Sequence, residues 1–125
     1  MTDLTSQLLD EFFDGIQRGD LEVVDRIYAD DVEVWHNVTR QAMGKQANLD
    51  LLRYWHSQVA DMRYEVLERH TYEGGATQRH IVHGDADGAT LRADVCIVFH
   101  VSGGHITRIY EYLDQAAVAA VFARS

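Results

Sequence analysis

The sequence has no proline and only one cysteine, Cys96, in 125 residues. A lone thiol excludes an intramolecular disulfide and every cysteine-rich zinc module, which suits a reducing compartment. No apolar run approaches the roughly 20 residues that a bilayer crossing needs, so no membrane partner is expected. Positive charge is scarce as well: 11 Lys and Arg stand against 20 Asp and Glu, for a net charge of -9. Such a field repels phosphate backbones and anionic lipid, and nucleic acid drops out as an expected partner. The N-terminal stretch MTDLTSQLLDEFFDG has acidic residues and no basic run ahead of its apolar positions, so it reads as neither a secretory signal nor a transit peptide. A cytoplasmic location is the expectation. There is also no linker, internal repeat or low-complexity tract.

What remains is the make-up of an ordinary globular protein, 46% hydrophobic and 25% charged, and its length is that of one domain with one core. The whole of 1–125 is therefore read as a single domain. The unusual presence is seven histidines, because imidazole is the side chain that titrates near neutrality, at about 6.5 when unperturbed.

Leu4, Leu8, Leu9, Phe12, Phe13 and Ile16 recur at helical spacing and predict an amphipathic first helix. Gly19 is a natural stop, and Asp20 a natural cap for a short second helix with Leu21, Val24, Ile27 and Tyr28 on one side. VEVWHNV, residues 32–38, alternates as a strand. A third helix follows Gly44, with Leu49, Leu52, Trp55 and Val59 in register. From Met62 onward the period becomes twofold, and Leu67 breaks the phase as a bulge would. Glycine turns at 74–75, at 85–88 and at 103–104 then predict three consecutive hairpins, and a short alanine-rich helix starts near Asp114. Helices first and strands afterwards predict an α+β domain with helices on one face of a curved antiparallel sheet. ADVCIVFHV is apolar on both faces, so the outer face of the sheet is expected to bury against a second copy, giving a homodimer.

The segments RGD, YADDVEVWHN, the helix after GK, and GGHITRIYEYLD together resemble the nuclear transport factor 2-like superfamily, in particular its SnoaL-like and ketosteroid-isomerase-like bacterial members. The resemblance covers nearly the whole chain. It implies a cone-shaped, cystatin-like fold whose sheet wraps around the N-terminal helices and encloses a pocket, and a cofactor-independent activity on a small apolar oxygenated molecule. It also implies that His36 stands where ketosteroid isomerases place an aspartate base and where limonene-epoxide-hydrolase-like members place a water-holding asparagine. Glu111 matches an acid of the hydrolase triad, His80 matches the other acid, and Gln78 falls at the triad's arginine. Phe12 and Cys96 replace the isomerase oxyanion-hole tyrosine and aspartate, so that oxyanion hole is absent.

Alternation tests these residues without the family. His36 shares a strand side with Val34 and Val38, His80 with Gln78 and Val82, and Glu111 with Ile109 and Leu113. A polar group among apolar neighbours is either buried or lines a pocket, and in both cases needs a partner. His36, His80 and Glu111 are thus the candidate catalytic residues, with structural core roles as the competing reading. Asn37, Phe12, Trp55, Gln78, Asp94 and Cys96 are candidate substrate-binding residues, although Arg92 and Asp94 also read as a structural ion pair and Cys96 as a small buried apolar residue. His83 and His100 have no convergent partner in the sequence. Three functions compete: proton-transfer catalysis (isomerisation, cyclisation, dehydration or hydrolysis) without cofactor, ligand binding without chemistry, and, least supported, a metal triad. No metal site is assigned.

Overall fold

Asp3 starts the first helix, its carboxylate accepting the Ser6 amide at 3.0 Å, and Gly19 stops it in a left-handed conformation with φ 72°. The computed structural model describes residues 3–122. In chain order these form α1 (Leu4–Arg18), α2 (Leu21–Ile27), β1 (Tyr28–His36), β2 (Gln41–Met43), α3 (Lys45–Gln58), β3 (Ala60–Tyr72), β4 (Gly75–Ala86), β5 (Ala89–Ser102), β6 (His105–Leu113) and α4 (Gln115–Phe122). The strands make one six-stranded sheet in the order β2-β1-β6-β5-β4-β3. This is the expected α+β arrangement: helices cover one face of a curved sheet that does not close on itself. No helix among the described residues is long and apolar enough to cross a membrane.

Three features refine the expectation. The opening strand begins at Tyr28 and ends at His36, so Asn37 and Val38 lie in a turn. The chain then folds back into β2, a short strand that carried no signal of its own. And β1 runs parallel to β6 while every other pair is antiparallel. The parallel pair follows from connectivity, because β6 reaches β1 only after α3 and the β3–β5 meander, the kind of long crossover that parallel pairing demands. Two of the meander's two-residue turns have positive φ at both positions, Asp87 and Gly88 (52° and 82°) and Gly103 and Gly104 (59° and 81°), the geometry that matches strand twist.

Leu67 does mark a bulge: Val66 pairs with His80 but Glu68 pairs with Arg79. The extra residue reverses the phase of β3, so Met62 and Tyr64 point inward before it and Arg69 after it. On β5, Leu91, Ala93, Val95, Ile97 and Phe99 are buried while Arg92, Asp94, Cys96 and His100 are exposed. The inner face meets α1, where the Phe12 and Phe13 rings stand edge-on to Phe99 with centroids 6.0 Å apart. Burying side chains of this size stabilises by about 1.5–3 kcal/mol each. The outer face is less apolar than its sequence suggested. Its apolar part is a strip of half-buried Trp35, Tyr110 and Val98 with exposed Tyr112, in which Trp35 lies 6.2 Å from the Tyr110 ring and 5.2 Å from that of Tyr112.

Candidate functional site

One row of the ladder crosses the sheet from β3 to β1: Arg69 opposite Gln78, Gln78 opposite Ile97, Ile97 opposite Glu111, Glu111 opposite His36. Four of these five side chains are polar, and all face the helices. Between that face and the helices lies a cavity of about 230 Å³. Phe12, Phe13 and Ile16 of α1, Leu51, Leu52 and Trp55 of α3, and Tyr28, Tyr64, Val95 and Ile97 of the sheet form much of its wall. Its polar lining is sparse. Beyond the Tyr28 and Tyr64 hydroxyls it comprises His36, Glu111, Asn48 and Thr39, and neither Lys nor Arg lines it among the described residues.

His36 and Glu111 meet within this cavity, Nε2 to Oε1 at 2.9 Å, with side chains 11% and 22% exposed. Asn37 sets their relative position. Its amide nitrogen donates to the Leu113 carbonyl at 3.2 Å, its amide oxygen accepts from the Leu113 N–H at 3.0 Å, and its backbone N–H donates to the Glu111 carbonyl at 3.0 Å. Where β1 ends, a side chain thus takes over the pairing of β1 with β6 and clamps His36 beside Glu111.

Two phenols complete the polar side of the cavity. Burial, reinforced by the Glu111 charge, holds both Tyr28 and Tyr64 well above the usual phenol range, so both stay protonated donors at neutral pH. Tyr28 donates to Asn48 Oδ1 at 2.5 Å, whereas the Tyr64 hydroxyl makes no hydrogen bond among the described residues and lines the cavity.

His80 occupies a different position. It is 0% exposed and lies behind the wall, its ring centroid 5.3 Å from Phe13 and 5.1 Å from Tyr64. Burial pushes its imidazole down from 6.5 to about 4; nearby Arg69 adds to the drop and the Glu111 charge opposes it. His80 is therefore neutral at pH 7. Gln78, also 0% exposed, connects it to Arg69.

Of the expected catalytic residues, then, His36 and Glu111 come together and His80 stands behind two rings. Of the expected binding residues, Phe12 and Trp55 line the cavity. Asn37 does not serve as one, because both ends of its amide are used between strands. Gln78 is sealed in the core instead of the cavity wall. Asp94 and Cys96 lie on the opposite, exposed side of β5, since they alternate with the buried Val95 and Ile97; Cys96 is accordingly not the small buried residue it resembled. His83 does have a partner, Glu65 Oε1 at 2.8 Å. No three His, Cys, Asp or Glu among the described residues converge in a way that could hold a metal ion. Sequence reasoning missed Tyr64 and Arg69. Carrying the alternation from Met62 through the bulge it had already placed at Leu67 would have found both.

A SnoaL-like domain family matches residues 9–109. No curated protein matches the chain by sequence. Among solved structures, an LEH-like epoxide hydrolase from M. tuberculosis is 20% identical with a TM-score of 0.78, over 97% of this chain and 90% of that one. Wild-type IdmH from Streptomyces antibioticus, provisionally assigned as a polyketide cyclase, is 15% identical with a TM-score of 0.81, over 95% and 98%. A protein with a ketosteroid isomerase-like fold from Catenulispora acidiphila DSM 44928, in complex with trimethylamine, is 11% identical with a TM-score of 0.80, over 94% and 92%. At such identities the likeness is one of fold.

Proposed function

The chain belongs to the SnoaL-like domain family, and on that premise we propose that it is an enzyme that needs no cofactor and moves a proton on a small apolar molecule carrying a carbonyl group. The observation that carries this reading is the His36–Glu111 pair on the wall of an otherwise apolar cavity. A carboxylate can only accept a hydrogen bond, so in the neutral imidazole Nε2 donates to Glu111 and Nδ1 keeps the lone pair. Nδ1 takes a proton from the carbon next to the carbonyl. The C–H electron pair moves into the carbonyl and forms an enolate, whose oxygen the free Tyr64 hydroxyl stabilises, while Glu111 stabilises the imidazolium. Returning the proton to another carbon isomerises the molecule. Attack of the enolate carbon on a second carbonyl of the same molecule breaks that carbonyl's π bond and closes a ring, the new alkoxide taking the proton back from His36 Nδ1. The cavity of about 230 Å³ has room for a ligand of up to roughly 15–23 non-hydrogen atoms, given that one water-sized atom needs about 10–15 Å³ of such space.

The test is deuterium uptake from D2O into the α-positions of trans-2-decalone, followed by NMR. Wild-type protein is expected to exceed buffer, and His36→Gln and Glu111→Gln each to slow exchange about 100-fold or more while thermal-shift binding of the ketone persists. Exchange no faster than in buffer, or variants as fast as wild type, overturns the reading. Binding without exchange selects the alternative, a ligand-binding module without chemistry, which the sealed position of His80 favours. We also propose that the Trp35–Tyr110–Tyr112 strip pairs two copies into a homodimer and that the protein is cytoplasmic.

A further inference from the structure

A guanidinium has donors and no acceptor, so the Gln78 atom 2.7 Å from Arg69 Nε is the amide oxygen. That fixes the amide's orientation: its NH2 faces His80 Nδ1 at 2.9 Å and is the donor of that bond. Nδ1 is then the acceptor nitrogen, and the neutral imidazole carries its proton on Nε2. Arg69 is itself held in place, donating to the Ser6 carbonyl, to Ser6 Oγ and to Asp10 Oδ1 at 3.0, 2.9 and 2.7 Å. A hydrogen-bonded chain from Asp10 inward therefore selects one tautomer of one histidine. Its far end is open, for His80 Nε2 is buried and has no hydrogen-bond partner among the described residues. A chain that merely held strands in register would end on a satisfied group, because a buried donor without an acceptor is destabilising.

The surroundings indicate what answers it. The two ring nitrogens point away from each other, so with Nδ1 turned along β4 toward Gln78, Nε2 is turned away from Gln78. Val82 lines the cavity, as do Phe13 and Tyr64, the two rings in edge contact with the imidazole. We propose that His80 is a ligand-binding residue, a neutral Nε2–H donor preset for an acceptor oxygen of the ligand and reached when the Phe13 ring swings aside. It would make the cavity selective for carbonyl compounds over hydrocarbons of the same shape. This rests on the ligand class proposed above, and uses a residue that the proton-transfer step does not.

The experiment uses wild-type protein, His80→Met, His80→Gln, and two probes of one shape, trans-2-decalone and trans-decalin. Nitrogen-15 NMR of the histidine rings at pH 7 is expected to show His80, assigned by its absence in His80→Gln, as unprotonated at Nδ1 and protonated at Nε2. The ketone moves the Nε2 resonance and the hydrocarbon leaves it in place. The ketone is expected to bind wild type about tenfold more tightly than the hydrocarbon. That ratio collapses in His80→Met and survives in His80→Gln, whose amide both accepts from Gln78 and donates onward. Protonation at Nδ1, a bound ketone that leaves Nε2 unmoved, a ratio unchanged in His80→Met, or no ketone binding at all overturns the proposal. If His80→Met does not fold, the wild-type NMR result decides. Failure of the catalytic reading looks different: the ketone binds and shifts Nε2, but its α-protons do not exchange.

Discussion

Acidification from pH 7 to pH 5 is expected to remove about 2 kcal/mol of folding stability through His80 alone. The folded protein holds this imidazole at about 4, whereas in the unfolded chain it returns to roughly 6.5. Between those values the unfolded state binds one proton more than the folded state, so stability rises with pH by up to about 1.4 kcal/mol per unit and falls as pH drops. The contribution is fully present above the unfolded value, fades through the window from 6.5 to 4, and levels off below it. Integration over the whole window gives about 3 kcal/mol, and over pH 7 to pH 5 about 2 kcal/mol. The side chain is fully buried, so solvent screening removes little of this. Urea unfolding of wild type and His80→Gln at closely spaced pH values reads it directly. Carboxylates that titrate in the same range affect both proteins and cancel in the difference. The difference between the two stabilities is expected to shrink by about 2 kcal/mol between pH 7 and pH 5. Parallel curves would mean that His80 is not buried as a neutral ring and does not present Nε2–H to a ligand.

Asn37→Ala removes both side-chain bonds to Leu113 and is expected to cost about 1–3 kcal/mol in urea unfolding, together with a loss of deuterium exchange, since His36 is no longer clamped beside Glu111; unchanged exchange would refute the clamp. Gly75→Ala would place a Cβ 2.2 Å from the Phe99 carbonyl oxygen, so a loss of about 1–3 kcal/mol is expected, and a urea midpoint equal to wild type would refute it. Light scattering is expected to give twice the 14.2 kDa chain mass, and Tyr112→Glu, at a side chain 48% exposed on the outer strip, to halve it. A wild-type monomer ends the dimer proposal.

The fold was legible in the chain because its signals are local. Gly19, Gly88 and Gly104 occupy backbone conformations that favour glycine, helical and twofold periods are confined to their own segments, and even the bulge at Leu67 shows as a break in phase. The candidate site was half legible for the same reason. His36 and Glu111 announce themselves as polar residues on apolar strand faces, but nothing local says that they are opposite each other across a parallel ladder. Two of the misplaced residues, Asp94 and Cys96, turn on which face of the sheet the helices cover. Alternation shows that Asp94 and Cys96 share a side, but not that this side faces outward. Asn37 misled because a strand expected to reach residue 38 stops at His36, leaving its amide to do a backbone's work. The Arg69–Gln78–His80 chain was hidden because it depends on the strand register beyond the bulge.

The scarcity of ionisable groups on the cavity wall, with Glu111 and His36 and neither Lys nor Arg among the described lining residues, turns the chamber into a filter for solute protonation state. A carboxylic acid can lodge there only in its uncharged form, because an unpaired anion beside Glu111 is both poorly solvated and repelled. Occupancy by a weak acid therefore declines about tenfold for each pH unit above its own pKa. On the proposed function, a neutral lactone or ester is therefore expected to bind more tightly than the carboxylate formed by its hydrolysis.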